Sequence, residues 1–421
     1  MTHRVLYTHV PLTARGRAHM MNPGSVTWNS WQRRYAVSEA MIVGAVRTPT
    51  GKKNGALAGW RPDDLAAFTL RALVDRVGID PKEVEDVIMG CVSQVGEQGW
   101  NIARNAALIA GFPLDVCGVS INRQCGSSQQ ATHFAAMGIL SGVQECVIAA
   151  GVESMTRIPI GSDGSGPGDG PVSPKLSEQY AIVPQGISAE LIAEKWGLSR
   201  KELDEFSYES HRRAARAIRE GRFQREIVPV PVTLPDGTER LFDTDEGVRM
   251  EPSLEKMAAL PPSFKSDGVV AAGNSSQISD GAAAVLVMSR EKAKALGLRP
   301  KARILAMATA GVDPTIMLTG PIPATRKVLA KAGLKLSDMD LIEANEAFAS
   351  VVLAWQRELE PDMERVNVNG GAIALGHPLG ASGGRILTTL LHELERTGGR
   401  YGLATMCIGF GQATATIIER V

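Results

Sequence analysis

The chain has no apolar run approaching the roughly 18 residues needed to cross a bilayer. Nor does it carry an excess of charge: 45 Lys and Arg balance 45 Asp and Glu, so neither nucleic acid nor membrane insertion is favoured. Cysteine is scarce. Five in 421 residues, with no close pair of the kind a zinc site uses, argue against a disulfide scaffold or a metal centre and point to a reducing compartment. Acidic residues are missing before Glu39, although Arg4, Arg15, Arg17, Arg33 and Arg34 fall there. Such a leader is compatible with a mitochondrial transit peptide. Pro11, Pro23 and Gly24 oppose a continuous amphipathic helix, and in-frame Met20, Met21 and Met41 fit a non-functional extension. Residues 1–37 are therefore read as a disordered, dispensable extension. The cytoplasm is the expected compartment, and the mitochondrial matrix is the alternative if the leader is a transit peptide.

What is present is the texture of a two- or three-domain α/β protein. Short apolar runs at Ala40–Val46, Val87–Cys91, Val116–Ile121 and Glu145–Ala150 read as strands. Pro62–Val77 and Gln129–Leu140 between them read as helices. The first has a stripe at Leu65, Phe68, Leu73, Val74 and Val77, and the second has Phe134, Met137 and Leu140 at core-facing spacing. Alternation of this kind predicts parallel layering. The order then recurs. Ala72–Ile88 resembles Val328–Ile342 with Gly78 matching Gly333, V-S-I-N before Arg123 resembles V-N-V-N at Val366–Asn369, and the strand before Gly151 resembles Tyr401–Met406. Two similar halves are expected, with strand ends from both converging on one site. Between them, Gly161–Pro174 is rich in Gly, Ser and Pro. Helical patterns follow at Ser188–Trp196 and Ser199–Glu220, which read as an inserted excursion.

Chemistry concentrates in Gly-rich turns. Cys125 lies in N-R-Q-C-G-S-S, His377 in G-H-P-L-G-A-S-G, and Cys407 in C-I-G-F-G. A cysteine before a helical pattern has a helix N-terminus to lower its pKa. Two cysteines and a histidine suit covalent acyl transfer with proton exchange. Cys91, Cys117 and Cys146, in or beside apolar runs, read as buried small hydrophobes. His133, His211 and His392 lie on helical patterns and read as ordinary surface or core residues.

These turns, with N-E-A-F-A at Asn345–Ala349, resemble the motifs of the thiolase family in the right order, over essentially Ala40–Val421. The resemblance implies the five-layered α-β-α-β-α thiolase fold. Its expected divisions are an N-terminal half at 38–156 and 271–298, a coenzyme A-binding loop domain at 157–270, and a C-terminal half at 299–421. It also implies acyl-CoA and CoA as substrates, with CoA a co-substrate and no prosthetic group or metal. Cys125 is then the nucleophile, His377 its base and Cys407 the second acid and base. Asn345 holds an oxyanion-binding water beside His377, and the N–H groups of Cys125 and Gly409 form a second oxyanion site. Carried over in the same way, Ser276 and Ala272 contact pantetheine, and Arg249 packs on adenine. A homodimer or homotetramer is expected.

One departure from the family's usual C-x-G-G-G turn is Phe410, which either narrows the acyl pocket or packs outward. Val183–Glu190, over the expected pocket, lacks the His-Met pair of members that condense two acetyl-CoA units, and N-S-S-Q at Asn274–Gln277 looks degradative. The preferred reading is therefore 3-ketoacyl-CoA thiolysis in β-oxidation, with acetoacetyl-CoA thiolase as the alternative. A ketosynthase-type enzyme lacks the second cysteine, and a non-catalytic acyl-CoA-binding protein would have lost part of the set.

Overall fold

The computed structural model describes residues 38–421 except Pro167, Asp169 and 234–236. The extension expected over 1–37 lies outside these residues. Twelve described strands carry the fold: β1 (Ala40–Arg47), β2 (Gly51–Lys52), β3 (Asp86–Gly90), β4 (Cys117–Ile121), β5 (Cys146–Ser154), β6 (Val230–Thr233), β7 (Glu239–Phe242), β8 (Ser279–Ser289), β9 (Ala302–Gly311), β10 (Leu341–Ala344), β11 (Tyr401–Ile408) and β12 (Gln412–Arg420). The longer helices are α1 (Pro62–Val77), α2 (Ile102–Ile109), α3 (Ser127–Leu140), α4 (Gln185–Lys195), α5 (Arg200–Arg219), α6 (Pro321–Ala332), α7 (Ala349–Leu359) and α8 (Ser382–Thr397).

The internal repeat is visible in the sheet. Strands of the first half lie in the order β4-β3-β5-β8-β1 and those of the second in the order β10-β11-β12-β9. A parallel bridge from Ile342 to Val366 supplies the second half's counterpart of β4. The senses agree as well: β3 is parallel to β4 and β5, β10 is parallel to β11, and the remaining neighbours are antiparallel. Only Met41 with Arg303 and Ile42 with Ala302 join β1 to β9. The helix ends repeat too. Both α1 and α6 open with proline, whose missing N–H is no loss there, and close on Gly78 and Gly333 in the left-handed region (φ 78° and 66°).

Three cores define five layers. α1 and α2 share one with β1, β3, β5 and β8, while α6 and α7 share another with β9 to β12. Between them α3 and α8 share a third with strands of both halves. The central pair packs closely. A Cβ on Gly383 in α8 would overlap the backbone nitrogen of Gln129 in α3, and the Gly384 N–H donates to Ser128 Oγ at 2.8 Å.

This packing overturns the expected face of α3. Its buried residues include Ala131, Thr132, His133, Ala135, Ala136 and Ile139, whereas Phe134 and Met137 are 39% and 49% exposed and Leu140 is exposed too. A helix flanked by a sister helix and two sheets has room only for small side chains, so the large apolar ones turn outward. Cys117 also departs from expectation. It is exposed because β4 is the sheet's edge, while Cys91 and Cys146 are buried.

Residues 157–270 leave after β5 and return before β8, carrying α4, α5 and the β6–β7 pair. α5 begins with a reciprocal capping box between Ser199 and Glu202.

Gly383→Ala should lower stability by about 1–3 kcal/mol, because two backbones must separate to admit one methyl group. Gly59→Ala, with nothing within 4 Å of the added atom, should change it little. Denaturant midpoints of the two variants test this, and equal midpoints would show that the central helices are not in close contact.

Candidate active site

The turn after β4 is tied down on every side. Asn122 Nδ2 donates to Val92 O at 3.0 Å, its Oδ1 accepts from the Gln124 N–H at 2.8 Å, and the Arg123 N–H donates to Ser127 Oγ at 2.9 Å. Gln124 is forced to φ 44°, an uncommon conformation for a residue with a Cβ, and delivers Cys125 two positions before α3. The Cys125 Sγ is buried, and the Gly409 N–H, the Gln185 side-chain amide and its own backbone N–H all favour its thiolate. The lowered pKa expected from a helix N-terminus does not prevail. Burial dominates and pushes the thiol up to about 11, with the three donors opposing it.

Cys407 is fully buried near the end of β11, and Gly409 follows two residues on. Burial raises its pKa first, and the negative charge of an ionised Cys125 raises it further, which places the two sulfurs in one electrostatic environment. It packs with Ala189 and Ile192 of α4, Phe348 and Ile373.

His377 precedes α8. Its N–H donates to Ser279 Oγ at 3.2 Å, and its Nδ1 lies 2.5 Å from Ser382 Oγ, whose own proton goes to Pro378 O at 2.8 Å. With the serine proton committed, Nδ1 must be the donor, so Nε2 keeps its lone pair. Asn345 Nδ2 stands 3.4 Å from that Nε2. Burial, then the charge of Arg385, pull His377 down to about 3. The resting pair is thus a neutral thiol and a neutral imidazole.

Asn345 follows β10 directly and its N–H donates to Thr405 O at 3.0 Å. It is not a helix cap, since α7 is capped by Phe348. Its Oδ1 is buried with no protein partner, which leaves an acceptor that a water or a substrate group would satisfy.

Sequence reasoning missed the residues that hold these loops. Glu153 accepts from the N–H groups of Val92, Ser93 and Gly380 and from Gln98 Nε2. Glu346 accepts from Ser210 Oγ, Asn367 Nδ2 and the Ile373 N–H. Gln185 and Ser382 were missed as well. The H-x-x-x-x-S spacing of His377 and Ser382 was the one readable signal.

A cavity of about 420 Å³ is lined by Arg249, Lys256, Ala272, His211, Gln277 and Ile373. Through Ile373 it borders the buried cluster that also holds Cys407. His211, read as ordinary from sequence, accepts from the Arg249 N–H at 3.1 Å inside this cavity. Ser276 lies just beyond it, its N–H donating to Ala347 O at 2.9 Å beside Asn345.

With this geometry in view, comparison with known proteins is specific. The family model described as thiolase, N-terminal domain, matches residues 40–291, and that of the thiolase C-terminal domain matches 298–420. The chain is 49% identical over 420 residues, 98% of each chain, to a protein named steroid 3-ketoacyl-CoA thiolase FadA6 from Mycobacterium tuberculosis. It is 48% identical over 394 residues to a 3-ketoacyl-CoA thiolase of Vibrio cholerae, covering 91% of this chain and all of the relative. Among solved structures, the acetyl-CoA acetyltransferase of Bacillus anthracis superposes with a TM-score of 0.84 at 42% identity, covering 92% of this chain and all of that one.

A neutral resting pair has a measurable signature. The rate of Cys125 alkylation by iodoacetamide should climb about tenfold per pH unit from pH 7 to 10, following the small thiolate fraction. A plateau between pH 6 and 8, as a preformed thiolate–imidazolium pair would give, would contradict it.

Proposed function

The chain belongs to the thiolase family, and on that premise we propose that it cleaves 3-ketoacyl-CoA with CoA, giving acetyl-CoA and a shortened acyl-CoA, through an acyl group held on Cys125. It is an acyltransferase. The observation that carries the reading is the convergence on one sulfur: the Gly409 N–H, two residues beyond Cys407, favours the Cys125 thiolate, while His377 keeps an Nε2 lone pair beside Asn345.

The chemistry follows from those atoms. As Cys125 Sγ attacks the 3-keto carbon, its proton passes to His377 Nε2. The bond between C2 and C3 breaks, and Cys407 protonates the departing enolate carbon. Incoming CoA gives its thiol proton to Cys407, and its sulfur displaces the acyl group from Cys125, which takes its proton back from His377 Nε2. The N–H groups of Cys125 and Gly409 face the acyl oxygen, and a water on Asn345 Oδ1 with His377 Nε2 faces the thioester oxygen. The 157–270 segment serves as the CoA-binding loop domain. Arg249 suits adenine stacking, Lys256 suits a phosphate, and Ser276 with Ala272 lines the pantetheine path. No prosthetic group or metal enters these steps.

Two relatives named for 3-ketoacyl-CoA cleavage support the degradative direction. The stretch without a His-Met pair is the start of α4, which sits over Cys125 through Gln185. Phe410 is 42% exposed at φ 59°, so its ring projects outward from the turn. The assembly we favour is a homodimer or a tetramer of such dimers. β4 is an open sheet edge, and the apolar side chains of Val119, Phe134, Met137, Leu140, Leu108 and Ile109 are exposed on β4, α3 and α2. Five free cysteines suit the cytoplasm, and among the described residues no helix is long and apolar enough to cross a membrane.

A substrate series of ketoacyl-CoA from C4 to C16 tests the reading directly. C6–C10 should be cleaved at least as efficiently as C4, and a strict preference for C4 by kcat/KM would favour the acetoacetyl-CoA alternative. Cys125→Ala should lose turnover and acyl labelling together. Cys407→Ser should still accept an acetyl group from acetyl-CoA yet lose overall thiolysis roughly 10²–10⁴-fold. Mass spectrometry locating the acyl group stably on Cys407 would reverse the assignment.

The interface is tested separately. Phe134→Glu with Met137→Glu should shift the species seen by light scattering to monomer, and unchanged mass would place the contact elsewhere.

A further inference from the structure

We propose that the side-chain amide of Gln185 is a catalytic hydrogen-bond donor at the reacting sulfur, fixing Cys125 Sγ alongside the Gly409 N–H and stabilising the negative charge that develops there. The inference rests on the assignment of Cys125 as nucleophile and goes beyond the set of two cysteines, histidine and asparagine.

Three observations place the amide. It bears on Cys125, favouring the thiolate. Gly409 leaves the space for it beside the Cys125 turn: a Cβ there would stand 3.1 Å from Gln185 Nε2 and 3.7 Å from the side chain of Gln124. The backbone behind it is pinned. Gln185 is the first residue of α4, whose Pro184 carbonyl accepts from both the Ile187 and Ser188 N–H groups at 2.9 and 3.1 Å. Gly186 leaves room for the Phe264 ring, which a Cβ would overlap. Phe264 in turn packs edge-on against Phe348, with centroids 5.9 Å apart and planes at 78°. Phe348 is the cap of α7 and lies three residues after Asn345. One aromatic contact therefore ties the arm above Cys125 to the segment bearing Asn345.

The chemistry of an amide suits this place. It donates without carrying charge, so it leaves the resting thiol protonated while stabilising the sulfur as the proton moves to His377. After acyl transfer the same N–H lies beside the Gly409 N–H, within reach of the thioester oxygen. No proton or electron is taken from Gln185, so the acyl-transfer balance is unchanged.

Two substitutions separate donation from shape. Gln185→Met keeps the volume and removes the donor, and Gln185→Glu keeps the shape and replaces the donor with a negative charge. In Gln185→Met, the Cys125 alkylation rate at a fixed pH between 7 and 10 should fall about tenfold, the equivalent of one pH unit in the profile. In Gln185→Glu it should fall further. kcat on a cleaved ketoacyl-CoA should fall with KM little changed. Thermal midpoints within about 3 °C of wild type would show that both variants are folded, and if Met disturbs the fold, Glu alone carries the test. Alkylation profiles of the folded variants that overlie wild type would overturn the proposal. Alkylation is read without any acyl-CoA, so the two readings fail separately: a shifted profile with no ketoacyl-CoA cleavage supports the Gln185 donor and removes the proposed activity.

Discussion

Everything at the site depends on two helix starts touching backbone to backbone. Gly383 meets Gln129, and the Gly384 N–H reaches Ser128 Oγ. Cys125 is two residues before one of these helices and His377 five before the other. A side chain at the contact would part the two loops by the width of a methyl group or more, enough to impair the proton transfer proposed between them. The alanine-rich inner face of α3 serves the same end, since it lets the central layer be thin. Thinness in turn puts β11, with Cys407, within reach of the nucleophile loop.

Burial costs this arrangement a good deal, and polar anchors offset it. Glu153 and Glu346 are both completely buried, which raises their pKa, yet each is surrounded by donors that favour the charged form. They work as staples: Glu153 holds the loop after β3 to the loop before α8, and Glu346 holds α5 to the chain leading into His377. The same low-polarity interior keeps the thiol and imidazole neutral at rest. In the proposed reaction charge appears only as the thiol gives up its proton, where the fixed N–H groups of Cys125 and Gly409 would meet it.

Much of this was legible in the sequence. α1 could be bounded to the residue because Pro62 and Gly78 punctuate it, and the repeat was visible because Gly333 punctuates α6 in the same way. Cys125, His377 and Cys407 stood out because glycines flank them. The inner face of α3 was not legible, because periodicity locates an apolar stripe without saying which side a partner covers. Phe134 and Met137 look like core residues until the crowding around α3 is seen. Gln185 left no signal either. A glutamine beside a glycine is unremarkable until the turn after β4, about sixty residues earlier, brings Cys125 beside it. The acid staples were hidden for the same reason, since their partners lie far off in the chain.

The repeat has one more consequence. Following the strand registers, Cys91 and Glu153 hold, after β3 and in β5, the places that Asn345 and Cys407 hold after β10 and in β11. The loop of Cys125 likewise corresponds to the loop of His377. One copy of the repeated plan thus spends its two places on scaffolding, and the other gives them to the residues proposed for chemistry. The 157–270 segment, present only in the first copy, supplies His211, Arg249 and Lys256 to the cavity that Ala272, Gln277 and Ile373 complete. A near-symmetric frame therefore carries an asymmetric cavity, because only one copy has an arm to line it.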